Sequence, residues 1–380
     1  MLESLKLFFA RKHYPTHRAT TPQELDAIAR FRYRVYVEEL GFRDHPAADH
    51  DTQKMVYDDD LADSTWLLYA GKPDAIEGTL RLRIFEAGAV PAEASNEYSL
   101  DMFPDIERRK ISDVSGLMFS RSTRGTASAT MLCCRAVEIA SGSHCEAIFS
   151  VGSAGLLRAY QRLGFRPYGG RIYGQELGMQ LQIPLIAMLD MDYLRRIESP
   201  AYHVLRGVKS KGGLSSGDIQ PLLDVIEAGR DAVVSGADRV GEEIEDLFAE
   251  GPAHDLLSQL PTDLVGELSR SGSILSVAAG DQLIRSDAYD NVLYYVLDGV
   301  LEVRRGDVVL GHHTKGETVG EVAFFRPGGL RSADVFAKTQ ARVLILSKGF
   351  LEKLERKQPE VACVFYRAIC RVMAERIALR

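Results

Sequence analysis

No stretch of the 380-residue chain approaches the roughly 20 apolar residues that a membrane-spanning helix needs. The N-terminal apolar run, Leu5 to Ala10, is too short and too charged at its flanks for a secretory signal, and no small-residue cleavage site follows it. It reads as part of a plain N-terminal helix. Cysteine is scarce. Cys133, Cys134, Cys145, Cys363 and Cys370 are odd in number and have no CxxC spacing, so they read as reduced, mostly buried thiols of a cytoplasmic protein. A basic surplus is missing too. The 46 Lys and Arg against 53 Asp and Glu leave a net charge of −7, which argues against a general nucleic-acid binder. There is no internal repeat, no low-complexity tract and no Ser-His-Asp arrangement.

What remains is the composition of a globular chain, 46% hydrophobic and 26% charged, long enough for two domains. The sharpest change in composition is Lys209 to Gly217, with three glycines and three serines in nine residues, a flexible connection. We expect a domain over 1–205, a linker and helical connector over 206–252, and a second domain over 253–380. Between Asp218 and Glu250, Leu222, Leu223, Ile226, Val233, Val234, Val240, Ile244, Leu247 and Phe248 recur at helical spacing, with glycines that break the pattern into short helices. A helix over Leu256–Arg270 then leads into short runs of strand character: Ile274–Val277, Gln282–Ile284, Val292–Leu297, Gly299–Arg304, Val308–Gly311, Ser332–Ala337 and Ala341–Leu346. These predict a β-barrel or jelly roll with flanking helices, closed by a helix from Pro359 to Arg380.

The segment from Gly316 to Ala333 is the most specific in the sequence. A cyclic phosphate needs close backbone N–H donors, hence small residues at a helical start, which Gly320, Val322 and Ala323 supply. It needs a forked guanidinium, which Arg331 offers, and the ribose needs an acceptor, for which Glu321 fits. Ser332 adds a hydroxyl, and Ala333 continues the segment. The order GE-x-A-x-F … RSA, with ten residues from Glu321 to Arg331, resembles the phosphate-binding cassette of cyclic-nucleotide-binding domains of the catabolite activator protein type. The glycine turns at Gly280 and Gly299 agree, and the resemblance runs from about Leu256 to Arg380. It implies that Glu321 holds the ribose and Arg331 the phosphate. Arg-Ser rather than Arg-Thr points toward cAMP over cGMP. No DNA-reading helix-turn-helix is expected after the closing helix, so the sensor's output is expected in the N-terminal half.

That half opens with Thr21-Pro22, a capping residue and a first-turn proline, before an amphipathic helix over Glu24–Gly41. Leu25, Ile28, Phe31 and Val35 form its apolar stripe. Acidic residues Asp49, Asp51 and Asp58 to Asp60 follow, then strands Thr65–Ala70, Ile76–Phe85 and Asp113–Phe119. Next comes a small-residue loop opening a helix through Ala140. Such a start offers free N–H groups to a diphosphate, and Arg121 and Arg124 add charge beside Gly125, Thr126, Ala127, Ser128 and Ala129. A strand over Ala147–Val151, a helix over Ala154–Leu163 and a hairpin ending at Ile183–Leu189 complete a mixed α+β sheet.

The loop, together with Tyr160-Gln-Arg-Leu-Gly-Phe165, resembles the GNAT acyltransferase superfamily. The segment Phe31 to Phe42, the acidic run, GTLRLR and the Asp113-Val-Ser115 strand resemble acyl-homoserine-lactone and N-acyl amino acid synthases over about Arg30–Arg195. Ala127, Ser153, Asp113 and Gly116 depart from the usual glycine, asparagine, glutamate and arginine. The resemblance implies transfer of an acyl group from acyl-CoA or acyl carrier protein to a small-molecule amine. Asp113 is then the candidate base, with Glu38 behind it, and Tyr160 the proton donor to the leaving thiolate. A strand-end hydrogen bond for Asp113, packing for Tyr160 and an Arg34–Glu38 helical pair are the structural alternatives. His45, Asp49, His50 and Asp51 read as loop, so no metal is expected. A cAMP-controlled lysine acetyltransferase using acetyl-CoA and a non-catalytic sensor are the rival functions; a homodimer through the connector helices is also open.

Overall fold

A computed structural model describes residues 12–43, 45–124, 126–169, 182–209, 217–229, 231–235, 240, 242, 244, 266–268, 272–288, 292–326 and 329–378. The expected helix around Leu5–Ala10, residues 210–216 of the Gly/Ser-rich stretch, and most of Leu256–Arg270 lie outside them. The chain divides into two compact units whose main boundary falls between Ala228 and Gly229.

In the first unit, strand β1 (Thr16–Arg18) leads to helix α1 (Pro22–Tyr33). Thr21 and Glu24 form a reciprocal cap: the Glu24 N–H donates to Thr21 Oγ1 at 3.3 Å, and the Thr21 N–H donates to Glu24 Oε2 at 2.9 Å. Ile28, Phe31 and Val35 are buried as the stripe predicts, with Leu25 partly so. The helix expected to run to Gly41 instead widens after Tyr33 into a π-helical turn, Arg34–Glu39. Its wider bonds, such as Leu40 N–H to Val35 O at 3.0 Å, rotate the side chains that follow.

A small hairpin, β2 (Ala48–Asp49) and β3 (Lys54–Met55), precedes the long antiparallel pair β4 (Thr65–Lys72) and β5 (Ala75–Phe85). Helix α2 (Ala92–Glu97) lies in the crossing to β6 (Ile111–Phe119). Then come α3 (Ala127–Gly142), β7 (Ala147–Ser153), a 3-10 turn with α4 (Leu157–Leu163), β8 (Arg166–Pro167) and β9 (Gln182–Met188). The seven strands lie in the order β1-β4-β5-β6-β7-β9-β8. Only three residues long, β1 escaped the sequence reading. It pairs with β4 at the sheet edge, and the Arg18 guanidinium lies 3.7 Å from the centre of the Trp66 ring.

Helices α5 (Met191–Arg196), α6 (Pro200–Lys209) and α7 (Gln220–Ala228) complete this unit. Leu222 of α7 is fully buried against a core containing Phe149, Ile186 and Met188. The first unit therefore extends past residue 205, and part of the expected connector is core.

The second unit opens with β10 (Val233–Ser235), where a helix was expected. Val233 and Val234 pair with Leu275 and Ile274 of β11 (Ser273–Val277). Strands β12 (Gln282–Ile284), β13 (Val292–Asp298), β14 (Leu301–Arg305), β15 (Val308–His313) and β16 (Thr318–Val319) follow. A short helix α8 (Glu321–Phe325), then β17 (Asp334–Ala337) and β18 (Ala341–Ser347), complete two sheets, β10-β11-β18-β13-β16 and β12-β17-β14-β15. Helices α9 (Lys348–Lys357) and α10 (Pro359–Ala378) bury Phe350, Leu354, Phe365 and Ile369 against Leu293, Tyr295 and Leu344. Burying such side chains contributes about 1.5–3 kcal/mol each. The β-rich second domain of the sequence reading is thus present, with flanking helices.

Candidate functional site

Strands β6 and β7 run parallel but pair over three residues only: Ile111 with Ala147, Ser112 with Ile148, Asp113 with Phe149. Beyond Asp113 the ladder stops. The Ser150 hydroxyl bridges the two strands by donating to Val114 O at 2.9 Å. Further along, Gly116 adopts φ +60°, a left-handed conformation that glycine accommodates, and the β5–β6 register shifts between Thr79 and Arg81. Tyr160 on α4 stands at this parting, with its phenol hydrogen-bonded to Ser150. Burial pushes that phenol well above its ordinary range, so it carries its proton at neutral pH.

Asp113, at the last paired position, is 1% exposed. The Arg83 Nε donates to its two oxygens at 3.0 and 3.1 Å, and the Tyr98 hydroxyl donates to Oδ2 at 3.0 Å. Arg83 Nη1 also donates to Asp59 Oδ2 at 3.0 Å, and Arg81 pairs with Asp59 as well. Arg32 Nη1 donates to Asp60 Oδ2 at 2.6 Å, and the Tyr57 N–H donates to the same oxygen at 2.9 Å. Three arginines and three aspartates thus tie α1, the acidic loop, β5 and β6 together. The sequence reading offers Asp113 as the base or, alternatively, as a strand-end hydrogen-bonder. A carboxylate whose oxygens are taken up by a guanidinium and a phenol anchors the strand and is poorly placed as a base. Glu38 is exposed on the π-helical turn and takes no part in the network. The anticipated Arg34–Glu38 pair is not among the ion pairs of the described residues; the Arg34 guanidinium lies 5.1 Å from the centre of the Phe31 ring.

Sequence reasoning missed Glu97, at the end of α2. It is half-buried, and burial with the neighbouring Asp113 pushes its carboxyl up to about 7, against the pull of Arg83. No local motif marks it; Glu93, Asp113 and the arginines surround it only in the fold.

The expected diphosphate cradle is partly assembled at the start of α3. Ala127 is exposed, Ser128 fully buried and Ala129 half-buried, while Gly125 lies outside the described residues. The Thr126 hydroxyl donates to Thr123 O at 2.7 Å rather than capping the helix, which leaves the first-turn N–H groups without a side-chain cap. Arg124 Nε donates to Phe119 O at 2.9 Å and its Nη2 to Glu39 Oε2 at 2.7 Å; Arg121 Nε lies 3.5 Å from the same oxygen. Both cradle arginines therefore share one glutamate of the π-helical turn.

In the second unit, Gly320 caps α8 with φ +93°. A Cβ there would lie 2.3 Å from Arg331 Nη1, so both conformation and space require glycine. Phe324 N–H is bonded back to Gly320 O at 3.1 Å, and the N–H groups of Val322 and Ala323 precede it in the first turn, where the helix offers no carbonyl. Glu321 is half-buried, Val322 exposed, and Ala323 and Ala333 buried. Arg331 is 2% exposed and donates to Gly320 O at 2.8 Å and to Val292 O. Its main-chain N–H donates to Ala288 O at 2.9 Å. The guanidinium expected to face a phosphate is here turned onto main-chain carbonyls, while Ser332 beside it is exposed. Phe325, at the end of α8, meets Tyr366 of α10 edge to face at 5.7 Å.

Asp49 and His50 of the loop have hydrogen-bond partners of their own. Asp49 accepts from the Asp51 and Thr52 N–H groups, and His50 bonds Tyr33 OH and Arg43 O. Among the described residues no group of three or more His, Cys, Asp or Glu is arranged to hold a metal, and no helix is long and apolar enough to cross a membrane. Cys133, Cys134 and Cys145 are buried, whereas Cys363 and Cys370 are exposed on α10. His312 Nε2 is hydrogen-bonded to Glu302 Oε2 at 3.0 Å.

Residues 27–184 match the family model of the N-acyl amino acid synthase FeeM, and residues 274–358 match that of the cyclic nucleotide-binding domain. The chain thus joins an N-acyl amino acid synthase-like region to a cyclic nucleotide-binding domain. Among curated proteins it is 28% identical over 117 residues to the Pycsar effector protein BcPycTIR of Burkholderia cepacia, covering 31% of this chain and 37% of that protein. It is 30% identical over 123 residues to Glutaminase 2 of Bradyrhizobium diazoefficiens, 32% of this chain and 19% of that one. The chain spans well under half the length of these relatives. Among solved structures, the N-terminal domain of a transcriptional regulator from Streptomyces coelicolor A3(2) is 29% identical, covering 33% of this chain and 90% of that one, with a TM-score of 0.29. A cyclic nucleotide-binding domain from Methylobacillus flagellatus KT is 19% identical, covering 39% and 85%, with a TM-score of 0.33.

Proposed function

We propose that this protein is an N-acyltransferase of GNAT-like fold that moves an acyl group from a thioester to the amine of an amino acid or small metabolite, under cyclic-nucleotide control. The observation that carries the reading is the parting of β6 and β7 beyond Asp113, beside the Tyr160 phenol. Main-chain groups freed there offer hydrogen bonds to a thioester oxygen. The donor, acyl-CoA or acyl carrier protein, would lay its phosphates at the start of α3, where Arg121 and Arg124 lie. As the amine attacks, a C–N bond forms and the C–S bond breaks; the thiolate takes its proton from Tyr160. The Gly320–Ala333 cassette supports cAMP as the effector, with Glu321 on the ribose and Arg331 on the phosphate. Arg331 would first leave its carbonyl partners.

The test combines the full chain with palmitoyl-CoA or palmitoyl-acyl carrier protein, a mixture of amino acids, and cAMP or cGMP. N-acyl product would be read by mass spectrometry. We expect an N-palmitoyl amino acid whose rate changes on adding cAMP, and a loss of about 100-fold in Tyr160→Phe. No product from either donor, with or without nucleotide, would overturn the transferase reading.

A further inference from the structure

Four carboxylates gather near the point where β6 and β7 part, and three of them are committed to partners. Asp59 accepts from Arg81 and Arg83, Asp60 from Arg32 and the Tyr57 N–H, and Asp113 from Arg83 and Tyr98. The fourth is Glu97. It immediately precedes Tyr98, whose hydroxyl is 3.0 Å from Asp113 Oδ2, so the end of α2 is fixed against the last paired residue of β6. Among the described residues no hydrogen bond or ion pair engages the Glu97 carboxylate, and the side chain is only half-buried. Its surroundings are contributed by five elements: Tyr36 from the π-helical turn, Tyr57 from the acidic loop, Glu93 from α2 itself, Arg81 and Arg83 from β5, and Asp113 from β6. Glu38 is exposed and Glu39 is held by Arg124, so neither competes for the role.

We propose that Glu97 is the catalytic base that takes the proton from the acceptor amine. The inference rests on the transferase reading above and deepens it. Glu97 combines the two properties that Asp113 lacks, an unengaged oxygen and access to solvent. Its neighbours also tune it. Arg83, which would otherwise keep Glu97 ionised, is already bonded to Asp113 and Asp59, while burial and the Asp113 charge hold the Glu97 carboxyl up to about 7. A base near the working pH is both available and strong enough to accept an ammonium or amine proton. In the transfer step the amine nitrogen bonds the thioester carbon and its N–H bond breaks, the proton passing to Glu97. The C–S bond breaks, and the thiolate is protonated by Tyr160. Glu97 returns its proton to solvent through its exposed edge, and the Tyr160 phenolate takes one back from solvent, so both groups are restored.

The decisive experiment measures kcat/KM against pH for the wild type, Glu97→Gln and Glu97→Asp, using the palmitoyl donor and amino acid for which wild-type product is found. We expect Glu97→Gln to fall about 100-fold at neutral pH and to lose the acid limb near pH 7, with Glu97→Asp in between. A second readout needs no substrate. A raised carboxyl binds its proton more tightly when folded, so wild-type stability falls as pH rises from about 4.5 toward 7. The Tm of Glu97→Gln should therefore gain on the wild type over that window. Wild-type product with a Glu97→Gln variant that keeps the acid limb, or that loses only KM, would overturn Glu97 as base and leave the transferase reading standing. If the wild type makes no product with any donor, the transferase reading fails and takes this assignment with it.

Discussion

Each unit of this protein buries an arginine at its most constrained point, and the two are held in opposite ways. Arg83 is clamped by carboxylates, Asp113 and Asp59, in a network that also fixes Arg32 and Arg81. Arg331 is 2% exposed but gives its described bonds to the carbonyls of Gly320 and Val292. A carboxylate partner is costly to remove, because the charge left behind is desolvated. A carbonyl is a neutral acceptor that an incoming phosphate can replace with a stronger, charge-assisted bond. The first arrangement suits a scaffold that must not move during chemistry. On the proposed function, the second leaves a guanidinium that a phosphate could draw off those carbonyls.

The contrast can be broken most forcefully at Asp113. Asp113→Ala leaves Arg83 half-paired in the interior and should cost about 3–5 kcal/mol. Urea unfolding should show the loss in the transition of the first unit while that of the second is unchanged; a shift of both would mean that the units unfold as one. Arg331→Ala should weaken cAMP binding at least 100-fold in calorimetric titration, about 3 kcal/mol, with a much smaller effect on folding. An Arg331→Ala protein that binds cAMP as the wild type does would remove this role for Arg331. Gly320→Ala is finer. The added Cβ collides with the guanidinium and the backbone conformation disfavours it, so a loss of about 1–3 kcal/mol in the second unit is expected by thermal unfolding, together with weakened cAMP binding. The smallest effect is at Glu39, which neutralises the cradle arginines. Glu39→Gln should tighten coenzyme A binding a few-fold, less than about 1 kcal/mol, and high salt should erase the gain.

How much of this was legible in the residues follows from the range over which each signal acts. The cap at Thr21 is local chemistry, and the structure has it as read, with Glu24 closing it reciprocally. The cassette was legible because glycine, acid and arginine stand at fixed offsets within one loop. At Val233 and Val234 the pattern misled: a short apolar run is compatible with a helix or a strand, and pairing with β11 decides for strand. The π-helical turn escaped because its widening leaves the apolar stripe through Val35 intact. Glu97 was missed, and the bonding of Asp113 was not foreseen, for a deeper reason. Which of two carboxylates is bonded and which is open depends on Arg83 and Tyr98, and nothing in the spacing of residues 83, 97, 98 and 113 announces that they converge.

The cation stacked at the sheet edge has an optical consequence. Trp66, beneath Arg18, is the only tryptophan in the sequence, and it belongs to the unit that does not carry the nucleotide cassette. Its emission therefore reports on the first unit. A change in that emission on adding cAMP would show, without a label, that the first unit responds to the nucleotide, and its concentration dependence would give the apparent affinity.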